Sequence, residues 1–324
     1  MSFSQLWTIL NDYDDLRIED ADDFFSNLGI GNRLEATDRP HERYCEYESL
    51  LKLLQQRNPE KYLQIHKGTP FYFLSWLAFD LRNYEKALYY LDAAIQEDIK
   101  NASNDWTTLP APSFLKLISK KHAAQRTVEE IRNILSSHIN QFNSISGLPL
   151  ITLEDFIKKF VENEMQTAPM RTIISAFYVF LLEYEERRLE LRLKSSEGCS
   201  MGPILTHLFS GGLIFESLLK YFYSGNKTLG CITKDSKFKE DFDVNFKTSA
   251  NSLEKIIGDI PDNSLTTAFT VTARIRNTTG HNLAWDNIFN SPDNYETLAN
   301  QVVNAILYVI EKKFITGASD GSPG

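Results

Sequence analysis

The residues best suited to chemistry lie together near the C-terminus, in the stretch ARIRNTTGHNLAWDN. Arg276 is followed directly by Asn277 and, five positions after the arginine, by His281. An arginine stays charged and offers phosphate oxygens a planar fork of N–H donors. A histidine, with an ordinary pKa of about 6.5, can accept or donate a proton around neutrality. These residue types therefore predict phosphate binding combined with proton transfer.

The spacing of the arginine and the histidine constrains how they could meet. Residues five apart on an ideal helix are separated by ~140° around its axis, so Arg276 and His281 would not share a face. Thr278, Thr279 and especially Gly280 are poor helix formers, and we expect a bend or break there that brings both side chains to one cleft. The alternative is a helix end stabilised by cationic side chains next to a glycine stop, which needs no catalysis.

The elements around this motif are predicted to be helical, because apolar residues recur at steps of three and four. The predicted helical segments cover approximately residues 170–194, 203–223, 250–276 and 292–314. The third segment holds two helical runs, the first of them capped by Ser252 or Ser249. Gly211 and Gly212 lie inside the second segment, where each costs about 1 kcal/mol, so we expect a close backbone contact or a kink. The predicted fold class is all-α.

The R-polar-x3-H pattern of Arg276, Asn277 and His281 resembles the signature of the HEPN superfamily. A HEPN domain is an up-and-down bundle of about four helices with this motif near the start of its last part, and the four segments follow that order. The run LIFESLLK also resembles the acidic-then-basic helix common in HEPN proteins. The resemblance covers roughly residues 165–316 and adds a HEPN-type bundle to the all-α prediction.

The resemblance implies an endoribonuclease that needs no metal or other cofactor, of the kind found in prokaryotic antiviral defence, abortive-infection and toxin systems. Attack by a ribose 2′-hydroxyl on the neighbouring phosphate needs a proton acceptor, a proton donor and positive charge beside the phosphorane oxygens. Arg276 and His281 supply such groups, and Asn277 is expected to orient the imidazole or contact phosphate. HEPN nucleases place two motifs across a two-fold interface, which implies a homodimer around the RNA substrate.

Two further charged residues are candidates for supporting this site. Glu216, in LIFESLLK, is expected to hydrogen-bond Arg276 and hold it in place, as an acid on an earlier helix does in some HEPN members. The alternative is a helix-surface glutamate paired with Lys220 at i+4. Arg274 lies two residues before Arg276, so we expect it on another helix face, as a surface cation or an additional RNA contact.

The N-terminal half is also predicted to be helical. Between Gly68 and Asp98 two amphipathic helices flank a short turn, and the second resembles the second helix of a tetratricopeptide repeat. The positions that carry this likeness are Tyr84, Ala87, Leu91 and Ala94. Because no second copy follows, ordinary helix packing and a groove for a protein partner or sensor ligand both remain open.

Proline and polarity patterns suggest the domain organisation. The stretch NASNDWTTLPAPS interrupts helical periodicity and is a candidate interdomain linker. We therefore predict an N-terminal helical domain, connecting helices, the HEPN-like bundle and a disordered tail. Their predicted ranges are 1–105, 106–164, 165–316 and 317–324. The polar stretch between the second and third segments of the bundle, GNKTLGCITKDSKFKEDFDVNFKTSA, is predicted to be a surface loop.

Composition excludes several classes of protein. The 324 residues carry 34 Lys and Arg against 43 Asp and Glu, so no general basic field attracts polyanions and any RNA contact must be local. Three separated cysteines and the absence of HExxH or CxxC spacing argue against disulfides and a metal site. Without a signal peptide or a membrane-spanning run, we expect a soluble, cytoplasmic protein.

A different class of function fits the same pattern. The chain could be a non-catalytic helical scaffold or adaptor that holds partner proteins through its hairpin and a HEPN-derived dimer surface. A HEPN domain that acts on another protein or on nucleotides is a third possibility, which no residue favours. The RNA sequence preferred and the activating trigger are not encoded in any motif.

Overall fold

The computed structural model describes residues 39–101, 105–119, 122–146, 150–193, 202–223, 228–280 and 292–317. Within these ranges the regular elements are helices and there is no strand, so the predicted all-α class is confirmed. The β-branched run TAFTVTARI is helical, as predicted. His281 and residues 318–324 of the predicted tail lie outside the described residues.

The chain divides into two compact units, Met1–Glu130 and Ile131–Gly324. This boundary is later than the one predicted near residue 105. The helices of the first unit are α1 (Pro40–Arg57), α2 (Pro59–Gln64), α3 (Gly68–Asp80), α4 (Tyr84–Asn101) and α5 (Pro110–Leu115). The boundary between the units falls inside α6 (His122–Ser146).

The centre of the first unit is the hairpin formed by α3 and α4. Helix α3 is apolar on nearly every face, because it packs against α4 and also against α1. The turn between α3 and α4 uses Arg82 at a φ of 55°. The small residues Ala78, Ala87 and Ala94 are completely buried, which allows the helices to approach closely. The predicted hairpin is therefore present, and its likeness to a tetratricopeptide repeat stays a prediction.

Residues 105–113, the described part of the predicted linker, are packed into the first unit. Pro110 begins α5, where its missing N–H costs nothing because the first turn of a helix leaves that group unpaired. Phe114 is completely buried and its ring stacks on Phe79 with centroids 5.1 Å apart. Prolines that interrupt one helix here start another, so these residues contribute to the core of the unit.

The second unit contains the remaining helices. They are α7 (Leu153–Asp155, continued as a π-helix over Phe156–Glu162), α8 (Ala168–Leu193), α9 (Gly202–Phe222), α10 (Leu229–Ile232), α11 (Ser236–Phe242), α12 (Leu253–Gly258), α13 (Leu265–Thr279) and α14 (Pro292–Ile310, continued as a π-helix over Glu311–Thr316). Thr152 caps α7 by accepting from Asp155 N at 3.0 Å, as its sequence position predicts.

Four long helices, α8, α9, α13 and α14, form the core of the second unit. Helix α9 packs against the other three, and α14 packs against α8 and α13. The four predicted segments are therefore packed together, although the third consists of two helices, α12 and α13, separated by Pro261. The cap of α12 is Ser252, whose Oγ accepts from Lys255 N.

Helix α9 is buried among its neighbours. Among the described helices it alone has the length and apolar composition to cross a membrane, and 61% of its most apolar window is buried inside the protein. Neighbouring helices pack closely at Gly211, because a Cβ there would lie 2.5 Å from the Phe180 ring and 2.6 Å from Val302 Cγ1. Of the two outcomes predicted at the paired glycines, a close contact or a kink, the close contact is present.

A buried histidine joins α8, α9 and α14. His207 Nε2 lies 2.8 Å from the Phe180 carbonyl oxygen, and Nδ1 lies 3.0 Å from the Tyr295 hydroxyl. Because a carbonyl can only accept, Nε2 carries the proton and the neutral Nδ1 accepts from Tyr295. Burial lowers the pKa of His207 to about 4, although the hydrogen bond to Phe180 acts in the opposite direction.

The polar stretch predicted to be a surface loop contains two short helices, so that prediction is wrong. Phe238 and Phe242 on α11, together with Phe246, are buried and surround the ring of Phe269 on α13. The ring of Phe215 on α9 lies 4.9 Å from that of Phe269 and completes the cluster. Burial of these rings outweighs the polar residues between them, because each ring removes a large apolar area from water.

Candidate functional site

Arg276 lies in the last turn of α13, which runs without interruption to Thr279. The helix begins at the Ser264 cap, whose Oγ accepts from Thr267 N. The Gly280 amide still donates to the Arg276 carbonyl at 3.2 Å. Helix α13 ends at Thr279 with Gly280 as its C-cap, so the helix breaks within the stretch predicted to bend or break. The two threonines themselves remain helical, and their side chains bond to backbone carbonyl oxygens. The predicted cleft shared by Arg276 and His281 stays a prediction, because His281 lies outside the described residues.

A buried carboxylate on α9 holds the arginine. Glu216 is only 5% exposed, and its Oε2 lies 2.5 Å from Arg276 Nε. Its Oε1 lies 2.7 Å from Lys220 Nζ. The N–H of Arg276 Nε does not point along the line to the carboxylate, so this contact is an ion pair without hydrogen-bond geometry. Glu216 thus contacts both Arg276 and Lys220, the first as an ion pair in place of the predicted hydrogen bond. The interpretation that places it on the helix surface is wrong.

The two cations paired with Glu216 remain accessible to solvent. The side chains of Arg276 and Lys220 are 31% and 33% exposed. One carboxylate between two cations leaves a local excess of one positive charge on a surface whose overall charge is negative. Such an excess can attract a phosphate locally, although the chain as a whole would repel it. From the sequence, Lys220 was expected only as an alternative partner for Glu216, and its proximity to Arg276 was missed.

The second glycine of α9 sets the position of the arginine backbone. A Cβ on Gly212 would lie 2.6 Å from Arg276 Cβ and 3.1 Å from Arg276 Cα. Both distances are too short for carbon atoms, so α9 and α13 cross at this point only because residue 212 has no side chain. The paired glycines in the sequence were the signal for this contact, but their partner could not be read from the sequence.

Asn277 is occupied by contacts within the fold. Its Nδ2 donates to the Thr248 carbonyl oxygen, and its Oδ1 accepts from Arg276 Nη1 at 3.1 Å. Next to it, the Thr278 hydroxyl donates to the Asn251 carbonyl oxygen and accepts from the Asn251 amide. These bonds fasten residues 248–251 to the end of α13. Asn277 therefore orients Arg276, whereas its predicted contacts with an imidazole or phosphate stay predictions.

Arg274 does not lie on the surface, so its interpretation as a surface cation is wrong. It is 4% exposed, and its Nη1 donates to Asp259 Oδ2 at 3.0 Å. Asp259 directly follows α12, so this ion pair ties that short helix to α13. The geometry also argues against the predicted RNA contact, because a guanidinium buried in this way would have to leave its partner to reach a phosphate.

The described histidines of the second unit are poor candidates for proton transfer. His138 and His207 are both buried, and burial lowers the pKa of each to about 4. Both are thus neutral and inaccessible near neutrality. His281, the predicted proton-transfer residue, follows Gly280 directly in the sequence. Within the described ranges no group of three or more His, Cys, Asp or Glu side chains is arranged to hold a metal ion.

Comparison with protein-family models, with curated proteins and with solved structures finds no match to this chain.

Proposed function

We propose that this protein is a HEPN-type endoribonuclease that cleaves RNA without a metal ion. The proposal rests on the position of the Arg276 guanidinium. Its charged group is held in place by the buried Glu216 and by Asn277, yet remains about one-third exposed, five residues before His281. A fixed and accessible guanidinium is what the binding of a scissile phosphate requires.

The proposed reaction is a transesterification. The ribose 2′-oxygen attacks the adjacent phosphorus and loses its proton to a base, so that a new bond from oxygen to phosphorus forms. The bond from phosphorus to the 5′-oxygen breaks, and that oxygen takes up a proton. The products are a 2′,3′-cyclic phosphate and a 5′-hydroxyl. Arg276 stabilises the charge on the phosphorane, and the His281 imidazole transfers protons.

The HEPN resemblance supplies the second half of the proposed site. Two copies of the chain would face each other, so that each contributes one arginine and one histidine to a shared cleft. Lys220 would add positive charge beside the phosphate, because it shares the Glu216 carboxylate with Arg276. A cellular role in prokaryotic antiviral defence, abortive infection or a toxin system follows from the same resemblance.

A panel of matched variants tests the proposal. Purified wild-type protein should cleave single-stranded RNA in EDTA, whereas Arg276→Ala and His281→Ala should retain their circular dichroism spectra and lose cleavage. Arg192→Ala is the control, because it removes an arginine that is 55% exposed on α8 and should leave cleavage unchanged. Cleavage that persists in both Arg276→Ala and His281→Ala would refute the proposal.

One observation favours the non-catalytic alternative. Glu216, Gly212 and Asn277 all connect Arg276 to other parts of the fold, so the cluster also works as a clamp between α9 and α13. In that case the protein is a helical scaffold or adaptor that binds partner proteins. Arg276→Ala would then lower the melting temperature, and the wild-type protein would cleave no RNA.

A further inference from the structure

The first unit contains a cavity of about 140 Å³ beside the start of α3. The residues that line it come from α3, α4 and α5: Gly68, Thr69, Tyr72, Phe73, Trp76, Asp98, Pro110 and Ala111. An apolar cavity of about 150 Å³ admits one benzene-sized molecule. This cavity can therefore hold a small organic group, but not a nucleotide.

Three aromatic rings form one wall of the cavity. The ring of Trp76 lies 4.8 Å from that of Tyr72 and 5.2 Å from that of Phe73, both at steep angles. Tyr72 and Trp76 are more than nine-tenths buried, so their positions are fixed by the fold. Pro110 and Ala111 add apolar surface. Rings held in this way present electron-rich faces, which attract cations and the apolar stems attached to them.

One carboxylate faces this aromatic wall. The side chain of Asp98 is 8% exposed, and its Oδ1 lies 3.3 Å from His66 Nε2. A Cβ on Gly68 would lie 2.6 Å from His66 Cε1 and 2.8 Å from Asp98 Oδ1, so the glycine leaves room for the imidazole and the carboxylate at the edge of the cavity. Among the described lining residues Asp98 is the one with a charged side chain.

The lysines near this carboxylate are engaged by a different acid. Lys67 Nζ and Lys100 Nζ lie 3.1 Å and 3.0 Å from the carboxylate oxygens of Glu97. Lys67 Nζ also donates to the carbonyl oxygens of Tyr62 and Ile65. Because the two lysines pair with Glu97, the negative charge of Asp98 is available to the His66 imidazole and to a ligand in the cavity.

We propose that this cavity binds a small organic cation, namely an alkylammonium group on a short apolar stem. The ammonium group bonds to Asp98, the stem lies against Phe73 and Trp76, and the volume limits the ligand to a few carbon atoms. An anion is excluded, because it would meet a buried carboxylate. This site belongs to the first unit and does not depend on the proposed RNA cleavage.

Saturation-transfer NMR on the full chain tests this assignment without RNA. The probes are n-butylammonium and the neutral n-butanol, which has nearly the same shape. We expect saturable transfer to butylammonium and much less to butanol. Nα-acetyl-lysine N-methylamide distinguishes two sources of the cation: tighter binding of this compound would assign a lysine side chain, and tighter binding of butylammonium would assign a free amine.

Three variants locate the binding site. Asp98→Asn should weaken butylammonium binding about tenfold or more, because a charge-assisted bond is lost. Phe73→Leu should weaken it about threefold, because it keeps apolar volume and removes one ring. Glu85→Gln is the matched control, since it removes an exposed carboxylate from the same helix and should change nothing. Equal transfer to butanol, no saturable transfer to either cation, or unchanged binding by Asp98→Asn would each overturn the assignment.

Discussion

The helix crossing beneath Arg276 allows a sharp prediction, because a single methyl group should disturb it. In Gly212→Ala the new Cβ would lie 2.6 Å from Arg276 Cβ, about 1 Å closer than carbon atoms pack. The obstructing atom is attached directly to the backbone of α13, so it cannot rotate away as the end of a long side chain could. The two helices must therefore separate, and Arg276 moves with α13.

The expected magnitude follows from two opposing terms. Overpacking a tightly packed contact costs about 1 to 3 kcal/mol. Alanine is favoured over glycine inside a helix by about 1 kcal/mol, which offsets part of that cost. We expect Gly212→Ala to lower the free energy of unfolding by up to about 2 kcal/mol. If the chain cleaves RNA, a shift of about 1 Å in Arg276 should also slow cleavage by about 100-fold.

Urea denaturation followed by circular dichroism measures the first effect. Gly258→Ala is the matched control, because a Cβ at that position would meet nothing within 4 Å. This control should be as stable as the wild-type protein or slightly more stable. If Gly212→Ala matched Gly258→Ala in stability, the close crossing of α9 and α13 would be wrong.

Three further effects follow from buried polar groups and a helix cap. Glu216→Gln should lower the free energy of unfolding by about 2 kcal/mol, because Arg276 and Lys220 lose their charged partner and water compensates only part of that loss. The exposed Glu240→Gln should have no effect, and equal urea midpoints for the two variants would contradict this prediction. Burial lowers the pKa of His138 and His207 to about 4, so the unfolded chain binds more protons between pH 6.5 and 4. The free energy of unfolding is therefore highest above about pH 6.5 and falls towards pH 4, by about 2 kcal/mol per histidine at pH 5. The double variant His138→Phe, His207→Gln should depend less on pH, and an unchanged pH dependence of its stability would contradict this prediction. Ser264→Ala should lower the free energy of unfolding by about 1 kcal/mol, because it removes the side-chain cap of α13. Ser264→Gly should lower it by only a few tenths of a kcal/mol, because water can then reach the free amides. Equal decreases in melting temperature for the two variants would argue against this cap.

Local patterns predicted most of the helices. The apolar period placed α8 within two residues of its observed bounds, and Ser252 was one of the two candidate caps for α12. The paired glycines predicted a close contact inside α9. The helices and their caps depend on neighbours within a few positions along the chain, so the sequence alone was sufficient. The glycines indicated where a close contact forms, but not which residues they contact.

Features that depend on distant partners were missed. Phe238, Phe242 and Phe246 are separated by lysines and acids, and the cluster they form is completed by rings from α9 and α13. The sequence around Arg274 does not predict its ion pair with Asp259, because Asp259 lies fifteen residues earlier, directly after α12. Composition alone gives a polar segment and a surface cation, whereas the folded partners bury both.

The candidate site was partly predictable. The Glu216 contact with Arg276 was expected from the resemblance and the pairing with Lys220 from the i+4 spacing within LIFESLLK, and both contacts are present as ion pairs. A bend or break after Arg276 was predicted from the helix propensities of Thr278, Thr279 and Gly280. The helix does end at Gly280, but both threonines remain helical and their hydroxyl groups bond to backbone carbonyl oxygens. Propensity is weak against such contacts, because it contributes less than about 1 kcal/mol per residue.

The proposed RNA cleavage begins with an attack by the ribose 2′-hydroxyl, and a single digestion experiment tests this step. Wild-type protein in EDTA is incubated with an RNA oligonucleotide and with the same oligonucleotide carrying 2′-deoxyribose at each mapped cleavage position. We expect 2′,3′-cyclic phosphate ends from the all-ribose oligonucleotide and no cleavage at the 2′-deoxyribose positions of the substituted one. Equal cleavage of both oligonucleotides, or no cleavage of the RNA at all, would contradict it.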